Sequence, residues 1–180
     1  MTRYVAFLRA INVAGQKLIK MDELARIFTA AGIKNARTYI QSGNVIFDAT
    51  STNAVALRKK IERALQDALG YEVTVAVMPL AVIEEIVERN PFKKIKTDAD
   101  AVPFVVFLSE EPQRTPKLPL TSITENVEVF EVRDRAAFVV SRRKKNGSFG
   151  FPNKFVEKEL GVSGTTRNWN TVNKILKVRA

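Results

Sequence analysis

The chain has 180 residues, of which 46% are hydrophobic and 27% charged, and it carries a formal net charge of +10. That is apolar enough to bury a core, as one domain or as two small packed halves, and too apolar for a disordered chain. There is no cysteine and no histidine, which removes disulfides, Cys or His zinc sites, thiol nucleophiles and any triad or proton relay built on imidazole.

Tyr4 to Ile11 has the β-branched and aromatic character of a buried strand and runs into the loop N-V-A-G-Q-K. In M-D-E-L-A-R-I-F-T-A-A-G, Leu24, Ile27, Phe28 and Ala31 fall at helical spacing. Asp22 and Glu23 suit the positive end of that helix, and Gly32 suits its left-handed stop. The stretch A-R-T-Y-I-Q-S-G-N-V-I-F-D reads as two short strands joined by a turn at Ser42-Gly43. Asn53 is placed to cap the next helix, whose apolar face is Leu57, Ile61, Ala64, Leu65 and Ala68 and which Gly70 closes. Val73 to Met78 is a further strand. The order β-α-β-β-α-β predicts a ferredoxin-like half over residues 1–79, with helices on one face of an antiparallel sheet.

Residues 80–100 read as a helix, L-A-V-I-E-E-I-V-E-R, stopped by Asn90-Pro91, followed by a linker. Residues 101–180 predict a second, smaller α+β domain with basic C-terminal helices. In it V-P-F-V-V-F-L is a strand, the proline-broken segment E-P-Q-R-T-P-K-L-P-L leads to a helical turn near Thr121, and Val127–Val132 and Ala136–Ser141 form a hairpin around Asp134. Asn153 to Leu160 is a short helix. This again gives β-α-β-β-α, a degenerate repeat of the first half without clear sequence identity between the two. The expected class is therefore α+β throughout.

No apolar run approaches the roughly 20 residues that span a bilayer, and Arg9 interrupts the first strand. The opening also lacks the order of regions that marks a signal peptide. We expect a cytoplasmic protein with no membrane partner, and oligomeric state is left open between monomer and weak dimer. Any general base would have to be a carboxylate, lysine or tyrosine with a displaced pKa, and no pair of carboxylates stands at a telling spacing. Catalytic residues are therefore unassigned, enzymatic activity leans towards absent, and no cofactor or metal is expected.

Charge is concentrated at the C-terminal end. Residues 1–132 hold 17 Lys and Arg against 16 Asp and Glu, whereas 133–180 hold 12 against 3. Such asymmetry favours an anionic partner, nucleic acid or a phosphorylated ligand. The run S-R-R-K-K-N-G-S-F-G-F sets Arg142, Arg143, Lys144 and Lys145 ahead of Phe149 and Phe151. Cations that neutralise phosphates beside rings that stack on unpaired bases would suit single-stranded nucleic acid. Equally, a solvated basic loop with both rings tucked into a core explains the same residues.

Two other clusters are candidate ligand sites. The first combines Asn12, Gln16 and Lys17, in the loop after the first strand, with Gln41 and Asn44 of the hairpin turn. An ordinary connection and an ordinary S-G-N turn account for them as well, and a nucleotide-binding P-loop is unsupported because the loop has one glycine and no G-K-[ST]. The second is the C-terminal stretch T-T-R-N-W-N-T. With Thr166 as N-cap, Trp169, Val172, Ile175 and Leu176 share one helical face, which makes Trp169 a core anchor. Around it Ser163, Thr165, Thr166, Arg167 and Asn168 crowd a helix start suited to a carboxylate or phosphate, and Arg167, Asn168 and Asn170 are the candidate ligand residues there.

Four stretches, L-R-A-I-N-V-A-G-Q-K-L-I-K-M, T-Y-I-Q-S-G-N-V-I-F, N-P-F at 90–92 and T-R-N-W-N-T-V, together resemble the domain of unknown function 1697 family (DUF 1697), in order and over the whole chain. Ala10 and Ala14 stand where that family often carries glycine. The resemblance implies an α+β protein, mostly bacterial and cytosolic, and no established reaction. Three functional readings follow: a protein binding an anionic partner, nucleic acid foremost; a small-molecule binder or enzyme with a cleft between the halves; and a protein-interaction module using an exposed sheet edge.

Overall fold

The computed structural model describes residues 1–12, 17–96 and 99–178. They form a mixed α+β protein with two antiparallel sheets and five helices among the described residues. The chain divides into two compact units, Met1–Ile83 with the residues from Lys177 on, and Glu84–Leu176.

The first unit contains β1 (Thr2–Leu8), α1 (Met21–Ala30), β2 (Lys34–Tyr39), β3 (Asn44–Ala49), α2 (Ala54–Leu69) and β4 (Val75–Pro79). Its sheet has the order β2-β3-β1-β4 with every pairing antiparallel. Each β-α-β crossover thus skips one strand position, and the other crossover fills it. Alternation along β1 and β4 sends Tyr4, Ala6, Leu8, Val75 and Val77 to the core that also holds Leu24 and Phe28 of α1 and Leu57, Ile61 and Leu65 of α2. Phe47 packs on both Tyr4 and Phe28, with ring centroids 5.6 and 5.8 Å apart.

The expected helix signals operate as read. The Asn53 side chain accepts the Ala56 N–H at 3.0 Å, and Gly70 ends α2 with a φ of 77°. β4 starts two residues later than the alternation predicts, at Val75, whose N–H donates to the Glu62 carboxylate of α2. That bond fixes where the chain leaves the helix and joins the sheet.

Helix α3 (Leu80–Arg89) spans the division between the units and stops where Asn90, ahead of Pro91, turns to a φ of 44°. Within the second unit follow β5 (Ala101–Leu108), β6 (Leu120–Ser122), β7 (Val127–Arg133), β8 (Ala136–Arg142), α4 (Asn153–Leu160), β9 (Gly164–Asn168) and α5 (Trp169–Ile175). The strand order is β6-β7-β8-β5-β9. Without the short edge strand β6, this is the plan of the first sheet, with β5, β7, β8 and β9 in the places of β1, β2, β3 and β4. Among the described residues the second unit has no counterpart of α1. Where α1 stands in the first unit, the second has an extended strap over residues 109–119.

The helical turn expected near Thr121 is instead β6, paired with β7 from Leu120↔Val129 to Ser122↔Val127. Pro116 and Pro119 supply no N–H to a helical turn, and each pushes its preceding residue into extended geometry, which delivers the chain to the sheet edge as a strand. One core layer of this unit lies between α4 and one sheet face, with Val156 and Leu160 against Val106, Leu108, Val129, Ala137 and Val139, and the alternate residues Val105, Phe107, Phe138 and Val140 are buried as well.

Candidate functional site

In the first unit the loop after β1 and the β2–β3 turn are joined by one side chain. The Asn12 amide donates to the carbonyls of Ile19 (3.0 Å) and Gln41 (2.9 Å), and its oxygen accepts the Ile19 N–H at 2.8 Å. Asn12 and Gln41 are therefore brought together, but through the Gln41 backbone and with the Asn12 amide engaged inside the protein. Asn44 is fully buried, and its amide ties the turn by donating to Tyr39 O and Ser42 Oγ. Lys17 points elsewhere, its ammonium 4.9 Å from the centre of the Tyr71 ring and 3.4 Å from Glu72 O. Gln16 lies outside the described residues. Ala10 adopts a φ of 53°, the left-handed conformation that glycine enters freely.

The C-terminal collar is arranged differently from the sequence expectation. Thr165, Thr166 and Arg167 do not crowd a helix start; they belong to strand β9, paired with β5 as Thr165↔Phe107, Thr166↔Val106 and Arg167↔Val105. The N-cap is Asn168, whose side chain accepts the Asn170 N–H at 2.8 Å, so α5 starts at Trp169. Two adjacent β-branched threonines beside the open edge of β5 favour the ladder over a helical turn. Thr166 is buried and donates to Asn153 Oδ1 of α4 at 2.9 Å. Arg167 is buried too, donates to Thr166 O, and loss of hydration pushes its guanidinium pKa down to about 9. At neutral pH it remains charged. Trp169 packs against Phe92 at 5.1 Å between ring centres, and Val172 and Ile175 are buried behind it. The face therefore packs inward through Val172 and Ile175, with Trp169 and Leu176 half-buried at its ends.

The end of β8 and the loop after it hold the four consecutive cations, Arg142 on the strand and Arg143, Lys144 and Lys145 beyond it, and the loop is heavily cross-braced. Arg143 donates to the Asp100 carboxylate (2.8 Å), Ala99 O (2.6 Å) and Gly147 O (3.1 Å), and its guanidinium lies over Phe149 at 4.9 Å. Lys144 pairs with Glu125 at 2.9 Å. Asn126 donates to the carbonyls of both Arg142 and Arg143, while the Lys144 N–H bonds to Ser148 O and the Gly147 N–H to Lys144 O. Ser141 Oγ, buried, reaches Gly150 O at 2.8 Å. Gly150 rests directly on the backbone of Glu125, with no room for a Cβ. Arg142 and Lys145 are exposed, Arg143 is exposed too while bonded to the frame, and Lys144 is half-buried. Phe149 is half-buried beneath Arg143 and is a support for the loop, while Phe151, 59% exposed, meets Phe104 edge-on. The brace residues Asp100, Glu125 and Asn126 were not among the sequence candidates; the only local signal was the proximity of Asn126 to Glu125 at a turn.

Fold and loop together define a two-unit α+β protein with a braced basic loop after β8. The family model described as "Protein of unknown function (DUF1697)" matches residues 1–138, and the chain belongs to that family. A solved structure, that of conserved bacterial protein SP0830 from Streptococcus pneumoniae, shares the fold with a TM-score of 0.68 at 22% identity, over 98% of this chain and 97% of that one. No curated protein matches the sequence. No helix among the described residues is long and apolar enough to cross a membrane.

Proposed function

We propose that this protein binds an anionic partner, nucleic acid foremost, through the loop at residues 142–149, by contact with phosphates. The observation that carries the reading is the loop's construction: Arg143 and Lys144 are spent on Asp100 and Glu125, which leaves Arg142 and Lys145 on a frame that does not need to order on binding. The surplus of 12 cations over 3 carboxylates in residues 133–180 supplies a field of the same sign. With Phe149 under a guanidinium, base stacking plays little part, so recognition is of charge and backbone and carries little sequence preference. The strand order β2-β3-β1-β4 supports reading the first unit as ferredoxin-like, and a cytoplasmic location fits the lack of cysteine and of any membrane-crossing helix among the described residues.

The test is fluorescence anisotropy with short labelled single-stranded RNA, single-stranded DNA and duplex DNA, at about 50 and about 200 mM salt, a range over which phosphate contacts lose most of their strength. Wild type is expected to bind at the lower salt. The Arg142→Ala/Lys145→Ala double variant should bind more weakly and with a salt slope shallower by about 1.4 for single strands, at about 0.7 per phosphate contact. Absence of binding by wild type at low salt, or a double variant with an unchanged slope, overturns the proposal.

A further inference from the structure

The loop after β8 carries at its tip the dipeptide Asn146-Gly147, which is exposed and lies outside the ion pairs that brace the frame. Asn146 Oδ1 accepts two hydrogen bonds, from the Ser148 N–H at 3.0 Å and from Ser148 Oγ at 2.7 Å. Such a turn folds an asparagine side chain back over the peptide that follows it. The Asn146 Nδ2 group makes no hydrogen bond among the described residues. Gly147 has a φ of 82°, nothing lies within 4 Å of the position a Cβ would take, and no side chain of its own screens its nitrogen.

This arrangement suits attack of the Gly147 nitrogen on the Asn146 side-chain carbonyl. Gly147 N loses its proton to solvent and bonds to Asn146 Cγ, and the displaced electron pair comes to rest on Oδ1. As the tetrahedral species collapses, the Cγ–Nδ2 bond breaks and ammonia leaves, with a five-membered imide behind. Water then opens the ring, at Cγ to give aspartate or at the main-chain carbonyl to give its β-linked isomer. Water enters, ammonia departs, and nothing is oxidised or reduced. The two Ser148 donors point at the atom on which negative charge develops, the arrangement that stabilises a tetrahedral oxyanion. Nδ2 departs without breaking a bond to the protein. Arg142, Arg143, Lys144 and Lys145 directly precede the dipeptide, and positive charge favours the deprotonated nitrogen. One bond opposes the reaction: the Gly147 N–H donates to Lys144 O at 2.9 Å and must first come free. A single backbone bond in an exposed turn opens readily and sets the pace.

We propose that Asn146 is a self-modifying site, which deamidates in the folded protein with water as its only co-reactant and places a carboxylate within the run of cations. The consequence for binding rests on the reading of this loop as an anion site: the new charge stands beside Lys145 and repels phosphates. Affinity for a nucleic acid then declines with the age of the molecule.

The full chain is incubated at mildly alkaline pH, folded and in parallel unfolded in urea, and its asparagines are followed by peptide mass spectrometry. Asn146 should be the first to gain the mass of an amide-to-acid exchange, at least as fast in the folded protein as in urea. Ser148→Ala should slow the folded protein several-fold and leave the unfolded chain nearly unchanged, because the paired donors exist only in the folded loop. Ser148→Thr, which keeps the hydroxyl, should restore the rate. Slower reaction in the folded protein than in urea, or a folded Ser148→Ala rate equal to or above that of wild type, overturns the proposal. In anisotropy at about 50 mM salt, Asn146→Asp should bind labelled single strands several-fold more weakly than wild type. Equal binding overturns the effect on the loop, whereas absence of binding by wild type overturns the nucleic-acid reading alone, since the modification is read by mass.

Discussion

Replacing Gly43 with alanine tests how the β2–β3 turn is seated. Gly43 has a φ of 78°, and a Cβ built there would lie 2.6 Å from Ile11 Cδ1 and 2.9 Å from both Ile11 Cγ1 and Leu8 Cβ. Its carbonyl also accepts the Leu8 N–H at 2.8 Å, so the turn cannot simply lift away from β1. Two costs add. The left-handed conformation costs a non-glycine residue about 1–2 kcal/mol, and forcing a methyl group into packed side chains costs about 1–3 kcal/mol more. The expected loss is about 3 kcal/mol. Gly70 is the internal control: its φ is 77°, yet nothing lies within 4 Å of its Cβ position, so Gly70→Ala pays only the conformational cost, about 1 kcal/mol. Guanidinium unfolding followed by circular dichroism measures both variants. If Gly43→Ala is no more damaging than Gly70→Ala, the crowding argument is wrong. A double variant adding Ile11→Val should recover part of the difference, since it removes the atom closest to the new methyl group.

Asp48 sits between two donors, Arg3 (2.9 Å) and Asn35 (2.8 Å), and the Arg3 bond, then the Asn35 bond, hold its pKa below the ordinary carboxylate range. A folded-state pKa below the unfolded one stabilises the fold above the unfolded value, about 3.9, and that contribution is lost as pH falls through the folded value. Melting temperature measured from neutral pH down to about 3 should therefore fall more steeply for wild type than for Asp48→Asn, and parallel curves would refute the assignment. Arg143→Ala should loosen the basic loop, because the guanidinium is bonded to Asp100, Ala99 and Gly147 at once. Hydrogen exchange at the amides of Lys144 and Gly147, which close the loop's own turn, should accelerate several-fold; unchanged protection would show that Asn126 and Ser141 suffice.

What could be read from the sequence was what is local. Asn53 as a cap, Gly70 as a stop and Asn153–Leu160 as a helix each depend on neighbours within a turn or two, and each stands where its pattern put it. The family resemblance was legible in short stretches, three of which lie within the residues 1–138 that the family model matches. Partners far along the chain were not. Thr166 fits a cap by its neighbours alone, yet β5, some 60 residues earlier, offers its edge and takes the threonines into a strand. The four cations at 142–145 look equivalent in sequence, but Arg143 is matched to Asp100, 43 residues away, and Lys144 to Glu125, 19 away. Those two pairings decide which of the charges are held on the loop's frame. Asp134-Arg135 reads as an ordinary hairpin turn, and only the backbone angles reveal that its arginine occupies a glycine position.

The strap over residues 109–119 has a consequence for how the two units can change over time. A strand's place in a sheet is dictated by neighbours on both sides, so altering it disturbs the whole ladder; the cover over one face answers only to shape and apolarity. The second unit has the ladder plan of the first under a different cover. The helical face is thus the part of this architecture free to diverge, and new specificity can arise there without renegotiating the fold.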